Sequence, residues 1–167
     1  TVRERLVSEG QLPIEMAVRI ATEVADALDY AHRNDVVHRD IKPENVMLHE
    51  GHAIVADFGI GKAITAAAND ATSLTQIGVT VGTPAYMSPE QASGDTIDGR
   101  SDFFSLGCML YEIVNGRMPF EAPTIMAMLS KHLIEAPVPP SQRRTDLELS
   151  PAIDQLVLNA RTRAVWG

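Results

Sequence analysis

Two short polar segments, at residues 38–45 and 57–59, constrain this chain more than any other feature of its sequence. The first reads His-Arg-Asp-Ile-Lys-Pro-Glu-Asn and the second reads Asp-Phe-Gly. Between them lie two β-prone runs, residues 46–48 and 53–56, separated by a predicted turn at residues 49–52. Short apolar runs on either side of a glycine-containing turn predict a β-hairpin. The fold must therefore bring both polar segments to the same end of one small hairpin.

Two helices are the clearest predictions outside the hairpin. Apolar side chains recur at the i, i+3, i+4 spacing of an amphipathic helix over residues 14–31, with Pro13 in its first turn. A second helix is predicted over residues 101–115, with Ser101 as its N-cap and Gly116 as its end. Because the apolar residues of this second helix lie nearly all round, it should be central and buried.

The remaining segments complete a mainly helical fold with one small hairpin. Residues 57–90 show no sustained period, which is typical of a functional loop when a segment is this long. Further helices are predicted over residues 124–133 and 152–160, with a stiff proline-rich connection at residues 137–140.

The length and composition of the chain are typical of a single globular domain. Its 167 residues suffice for one domain, its net charge is -8, and no apolar stretch reaches the roughly 18 residues of a membrane span. The acidic balance argues against a nucleic-acid-binding surface. The single cysteine, Cys108, excludes an internal disulfide, and its apolar neighbours indicate a packed thiol rather than a nucleophile. We therefore expect a soluble, cytoplasmic domain without a membrane segment.

Four side chains in the two polar segments have the chemistry that phosphoryl transfer from ATP requires. Asp40 can orient an attacking hydroxyl and accept its proton, and Lys42 can reach the transferring phosphoryl oxygens. Asn45 and Asp57 offer oxygen ligands to Mg²⁺ from adjacent hairpin strands. Each of these residues alone is more typical of an ordinary turn. Their combination in one order favours the catalytic interpretation.

Two other patterns suggest sites but have simpler explanations. The sequence Gly-Ile-Gly-Lys at residues 59–62 lacks the first glycine of a phosphate loop, so it is interpreted as the start of the long loop. His49 and His52 have metal-like spacing, but no third ligand is near in the sequence. A hairpin turn is therefore the favoured interpretation of the two histidines.

With further motifs in the same order, the chain resembles the C-terminal lobe of a protein kinase of the bacterial eukaryotic-like (Hanks-type) serine/threonine class. The further motifs are Gly-Thr-Pro-Ala-Tyr-Met-Ser-Pro-Glu at residues 82–90, Ser-Asp through Ser-Leu-Gly at residues 101–107, and Gly-Arg-Met-Pro-Phe at residues 116–120. The resemblance implies a kinase domain over residues 1–158, mainly α with one small hairpin. Within it, residues 57–90 would form the activation segment.

The resemblance also implies a role for each site residue. Asp40 would be the catalytic base, and Lys42 would contact the γ-phosphate and indicates serine/threonine rather than tyrosine specificity. Asn45 and Asp57 would bind Mg²⁺ or Mn²⁺ together with ATP. Met47 would form the floor under adenine, and Thr83 would position the substrate. His38 and Phe58 would form the lower part of a hydrophobic spine. Glu90 and Asp102 would have structural roles, with Asp102 binding backbone amides of residues 38–45, here called the catalytic loop.

Arg39 suggests control by phosphorylation. A buried cation beside the catalytic carboxylate is poorly accommodated until an anion arrives, and phosphothreonine on the long loop would supply one. The candidate acceptors are Thr72, Ser73, Thr75 and Thr80, of which Thr75 and Thr80 are favoured.

Other parts of the kinase pattern are missing. No Gly-rich loop and no strand lysine precede Asp40, so we expect the N-terminal lobe to be absent. Residues 159–167 diverge from the usual ending of the family, which predicts a truncated or out-of-frame tail. The arginine that normally pairs with Glu90 would then be absent too, leaving a partly buried unpaired charge unless Arg161 or Arg163 substitutes.

Three functional interpretations follow. The first is a serine/threonine protein kinase regulated by loop phosphorylation. Its partners would be protein substrates and a second copy of the kinase, which would carry out autophosphorylation. Related kinases often carry a membrane anchor. The second is an isolated lobe that binds substrates or partners without catalysis, which is favoured for these residues alone because half of the nucleotide cleft is absent. The third, a small-molecule phosphotransferase, is disfavoured because residues 42–44 and 82–90 resemble a peptide-substrate platform.

Overall fold

The computed structural model describes residues 1–58 and 84–159. These residues form a helical assembly around one two-stranded antiparallel sheet, as the sequence predicts. In chain order the elements are α1 (Val2–Glu9), α2 (Ile14–His32), β1 (Val46–His49), β2 (His52–Val55), α3 (Pro89–Ser93), α4 (Gly99–Asn115), α5 (Ile125–Ile134), α6 (Pro140–Arg143) and α7 (Pro151–Asn159). Single 3₁₀ turns, Pro43–Asn45 and Pro84–Tyr86, precede β1 and α3.

Helix α2 confirms the period predicted over residues 14–31. Pro13 is its N-cap residue rather than a member of its first turn, so this detail of the prediction is wrong. The ψ of Pro13 is 144°, an extended value that precedes the helix. The buried face packs against α4 and β2, and its members are Ala17, Ile20, Val24, Leu28 and Ala31.

Helix α4 is the buried centre of the described structure, as its all-round apolar pattern predicts. Its N-cap is Asp98, whose side chain accepts a hydrogen bond from the backbone N–H of Arg100, so the prediction of Ser101 as the cap is wrong. Gly116 ends the helix with a φ of 69°, in the left-handed region that glycine adopts without strain.

Cys108 lies in α4 with its side chain buried. Burial raises the pKa of its thiol to about 12, so the thiolate is not formed near neutral pH. The prediction of a packed thiol is therefore confirmed.

The hairpin has a tighter turn than predicted. His49 pairs with His52, and only Glu50 and Gly51 form the turn, with φ values of 50° and 84°. Two successive left-handed residues are typical of a type I′ turn, whose twist matches that of the strands. The prediction of a four-residue turn is therefore wrong, because both histidines are paired strand residues.

Helix α1 is not predicted from the sequence, although it has a clear start. Thr1 and Glu4 form a capping box, in which Oγ1 of Thr1 accepts a hydrogen bond from the backbone N–H of Glu4 at 3.2 Å. This helix places Arg3 beside the catalytic loop, as described below.

The C-terminal helices lie close to their predicted positions. Thr124 is the N-cap of α5, and α7 confirms the last predicted helix as far as Asn159. Pro140 begins the short helix α6. The connection predicted over residues 137–140 therefore ends one residue earlier than expected. None of the helices in the described ranges is both long and apolar enough to cross a bilayer.

Candidate active site

The catalytic loop is held in place by a carboxylate from another element. Asp102, in the first turn of α4, is fully buried. Its Oδ2 accepts a hydrogen bond from the backbone N–H of His38 at 2.8 Å, and its Oδ1 accepts one from the backbone N–H of Arg39 at 2.7 Å. Asp102 thus fixes the backbone just before Asp40.

A third group, His32, completes the surroundings of the Asp102 carboxylate. The Nε2 of His32, in the last turn of α2, lies 2.8 Å from Oδ2 of Asp102. Because a carboxylate oxygen can only accept, Nε2 of His32 must carry the hydrogen. The N-terminal turn of α4 also favours a negative charge through the helix dipole. The buried carboxylate is therefore fully satisfied, which joins α2, α4 and the catalytic loop.

Asp40 and Lys42 form the centre of the site. The Nζ of Lys42 lies 2.7 Å from Oδ2 of Asp40, and Nδ2 of Asn45 donates to the same oxygen at 3.1 Å. The side chain of Asp40 is 39% exposed and that of Lys42 is 17% exposed. Among the described residues, no donor contacts Oδ1 of Asp40. Within those residues, this oxygen is therefore left to accept a hydrogen bond from another group.

The hairpin brings Asn45 and Asp57 to the same end of the sheet. The backbone carbonyl of Asn45 accepts a hydrogen bond from the N–H of Ala56 at 2.8 Å, and Asp57 follows directly. Asn45 is buried, and within the described part of the chain no donor contacts its Oδ1. Asp57 is exposed, with a φ of 63°. A free amide oxygen and an exposed carboxylate fit the preference of Mg²⁺ for hard oxygen ligands.

His38 connects the catalytic loop to the hairpin. Its Nε2 lies 2.8 Å from the backbone carbonyl oxygen of Ala56, and its Nδ1 accepts a hydrogen bond from the backbone N–H of Asp40 at 3.3 Å. These partners require the tautomer with hydrogen on Nε2. The ring meets that of Phe58 edge-on, with 4.7 Å between centroids. The structure therefore brings together the two residues predicted to form a spine.

One face of the hairpin presents exposed apolar side chains beside the site. Met47 pairs with Ile54, and the two residues are 50% and 49% exposed. The neighbours of Met47 point the other way, since Val46 is fully buried and Leu48 packs partly against the core. Met47 is thus available to contact the flat ring of a ligand, as its predicted place under adenine requires.

Arg39 has an unusual backbone and an unsatisfied side chain. Its φ of 70° is uncommon for a residue other than glycine. The backbone is held on both sides, because its N–H donates to Asp102 and its carbonyl accepts from Nε2 of Gln91 at 2.8 Å. Its buried Nε has no hydrogen-bond partner in the part of the chain that the structure describes. A buried donor without an acceptor costs about 1–3 kcal/mol, so the site favours the arrival of an acceptor.

Glu90 is half-buried, as predicted, and its carboxylate has a neutral hydrogen-bond partner. The hydroxyl of Ser101 donates to Oε1 of Glu90 at 2.5 Å. Ser101 is therefore a buried residue inside α4 whose side chain stabilises the carboxylate. The two arginines considered as substitutes, Arg161 and Arg163, lie outside the described residues.

An ionic network, missed by the sequence analysis, links α1 to the catalytic loop. Arg3 donates to Oε1 of Glu44 and to Oε1 of Glu112, in both cases at 2.7 Å. It also donates to the hydroxyl oxygen of Tyr86 at 2.6 Å, and that hydroxyl in turn donates to Glu112. Burial acts to lower the pKa of Arg3, but the hydrogen bonds to Glu112 and Glu44 outweigh it and raise the pKa. Burial raises the pKa of Tyr86, and the bond to Glu112 adds to that shift.

Several predicted residues lie outside the described ranges. They are the favoured phosphorylation sites and their alternatives, and the residue assigned to substrate positioning: Thr72, Ser73, Thr75, Thr80 and Thr83.

Comparison with known proteins identifies the family. The family model described as "Protein kinase domain" matches residues 1–159. The serine/threonine-protein kinase PknB of Mycobacterium leprae is 42% identical over 161 residues, covering 96% of this chain and 25% of that protein. The serine/threonine-protein kinase pkn3 of Myxococcus xanthus is 43% identical over 166 residues, covering 96% of this chain and 29% of that protein.

The chain belongs to the protein kinase family, in its bacterial eukaryotic-like (Hanks-type) serine/threonine class. The resemblance recognised from the motifs is thereby confirmed. The chain spans about a quarter of the length of the curated relatives it matches.

Proposed function

We propose that the protein containing this chain transfers the γ-phosphoryl group of ATP to serine and threonine hydroxyls of proteins. The observation that carries the proposal is the arrangement at Asp40. Lys42 and Asn45 hold Oδ2 of this carboxylate, while Oδ1 has no donor among the described residues and would receive the acceptor hydroxyl. The relatives named as serine/threonine-protein kinases support the same reaction class.

Each side chain has a defined part in the proposed transfer. Asp40 would orient the hydroxyl and accept its proton. Lys42 would neutralise charge on the phosphoryl oxygens. Asn45 and Asp57 would hold Mg²⁺ or Mn²⁺, which neutralises phosphate charge when it is bound. Two further contacts are assigned by the family pattern, with Met47 under the adenine of ATP and Thr83 beside the substrate.

Transfer of labelled phosphate tests this proposal. The full-length protein, incubated with γ-labelled ATP, Mg²⁺ and a basic protein substrate, should label serine and threonine but not tyrosine. Chelation of the metal should abolish labelling, because the phosphate charge would no longer be neutralised. Binding of the protein substrate without any labelling would instead indicate a module that binds proteins and performs no chemistry.

We further propose that phosphorylation of the loop activates the enzyme through Arg39. The buried Nε of Arg39 has no acceptor among the described residues, and a phosphate group offers three acceptor oxygens. Thr75 and Thr80 are the favoured sites, with Thr72 and Ser73 as alternatives. A second copy of the kinase would phosphorylate the loop. The rate at which the kinase itself becomes labelled should therefore rise with the square of its concentration.

Replacement of Arg39 by Gln should uncouple activity from phosphorylation. Phosphatase treatment of the phosphorylated protein without a substitution should lower its transfer rate by about tenfold, the effect of one hydrogen bond to a charged group. The Arg39→Gln protein should start at the lower rate and change less than twofold on treatment. Arg33→Gln is the matched control, because Arg33 is 71% exposed and its ion pair is with Asp29, four residues earlier. An equal loss of activity in the Arg39→Gln protein and the control would contradict the proposal.

A further inference from the structure

His132 is the only buried residue of helix α5, whose ten residues otherwise remain at least partly exposed. It lies in the last turn of that helix and is fully buried. Its Nδ1 lies 2.7 Å from the backbone carbonyl oxygen of Met87. Because a carbonyl oxygen can only accept, Nδ1 must carry a hydrogen and donate it. Helix α5 thus makes a polar contact with the backbone at Met87, in addition to the apolar contact of Met128 with the core.

The imidazole ring is held from two sides by aromatic residues. The ring centroid of His132 lies 5.6 Å from that of Phe104 in α4 and 5.0 Å from that of Phe120. Together with the hydrogen bond to Met87, these contacts restrict the orientation of the ring. The direction of the Nδ1–H bond is therefore set before any ligand binds.

Met87 belongs to a segment that borders the site from two sides. Directly after it, the backbone N–H of Ser88 donates to Oε1 of Gln91 at 2.9 Å. The Nε2 of Gln91 then donates at 2.8 Å to the carbonyl of Arg39, the residue before the candidate base. Directly before Met87, Tyr86 contacts Arg3 of the ionic network. Residues 86–91, here called the platform segment, therefore lie along the catalytic loop.

The contact of His132 is one of two that side chains of α4 and α5 make with carbonyls of the platform segment. The hydroxyl of Ser105 in α4 donates to the carbonyl of Tyr86 at 2.7 Å. His132 in α5 holds the next carbonyl, that of Met87. Because Gln91 ties this segment to the residue before Asp40, displacement of its backbone would change the surface beside the candidate base, where a peptide hydroxyl has to arrive.

We propose that His132 is a positioning residue for the protein substrate, which it serves by fixing the carbonyl of Met87 and with it the platform segment. This inference rests on the proposed kinase function, since it assigns a residue to substrate binding in that reaction. It predicts an effect on the KM for peptide that is separate from the KM for ATP. It also assigns helix α5 the role of holding the platform segment through His132.

Two substitutions in the full-length protein separate the hydrogen bond from the ring. His132→Phe keeps an aromatic ring but removes the donor, and it should raise the peptide KM about three- to tenfold, the effect of one neutral hydrogen bond. The KM for ATP and kcat should change less than twofold. His132→Asn loses the ring but places an amide N–H near the position of Nδ1, so it should restore the peptide KM even if it lowers thermal stability. His49→Asn, at an exposed strand end, is the control.

A peptide KM that is the same in the His132→Phe protein and the control would overturn the proposal. So would a KM that follows thermal stability, with His132→Asn worse than His132→Phe. Absence of transfer by the unmodified protein would refute the kinase function instead. A test that needs no activity is ¹⁵N NMR of the His132 ring together with amide exchange of residues 84–91. A proton on Nδ1 and faster exchange in the His132→Phe protein support the contact, whereas an unprotonated Nδ1 overturns it.

Discussion

Replacement of Asp40 by Asn in the full-length protein is expected to lower the rate of phosphoryl transfer by about 10²- to 10⁴-fold, the usual contribution of a general base. An amide cannot accept the proton of the attacking hydroxyl at Oδ1, although its oxygen can still accept from Lys42. Binding of ATP should change less than twofold, because the proposed nucleotide contacts remain.

The assay for Asp40 needs a control that changes the same functional group elsewhere. Asp35→Asn is suitable, since Asp35 is exposed and Asn tolerates its φ of 58°. Transfer and ATP binding are measured on both proteins under one set of conditions. Turnover of Asp40→Asn within tenfold of the control would remove Asp40 from the role of base.

The second large effect is expected from Asp102→Asn. The carboxylate of Asp102 accepts hydrogen bonds from two backbone N–H groups and from His32. An amide at the same place keeps one acceptor oxygen and turns an NH₂ group toward buried donors. We expect the free energy of unfolding to fall by about 3 kcal/mol, as is typical when one partner of a buried charged network is removed.

Urea unfolding followed by circular dichroism measures that loss. The control is Asp95→Asn, because Asp95 is exposed in the turn after α3. The transfer rate should fall as well, since Asp102 fixes the backbone on which Asp40 stands. Equal stability of Asp102→Asn and Asp95→Asn would show that the buried carboxylate does not hold the catalytic loop.

Features encoded by neighbouring residues could be predicted from the sequence. The period of α2 is local, and the residues of the catalytic loop follow one another directly, so both were recognisable without a structure. Asn45 and Asp57 could be placed at one end of the hairpin because a short hairpin permits only one arrangement of its ends. The kinase class followed from the same contiguous motifs.

Two contacts between distant residues could not be predicted in this way. The contact of His32 with Asp102 spans 70 residues, and that of Arg3 with Glu112 spans 109. No local pattern indicates either pair, because tertiary packing decides which polar groups meet.

The wrong start of α4 has a local explanation. Asp98 and Ser101 are residue types with similar preference for the N-cap position, so the sequence alone did not show which of them begins the helix. The turn at Glu50 and Gly51 carried a usable signal, since glycine favours the second position of a two-residue turn. The roles of Thr75, Thr80 and Thr83 remain predictions, because these residues lie outside the described ranges.

The ionic network around Arg3 also determines how far the domain can be shortened. Glu112 is only 12% exposed, and Arg3 is the cation that neutralises it in the described structure. A version that begins after Arg3 would leave this carboxylate buried beside the Tyr86 hydroxyl with no positive charge, and Glu44 would lose its tie to the first helix. Arg3 is therefore part of the minimal unit that can support residues 38–45, even though it lies far from them in sequence.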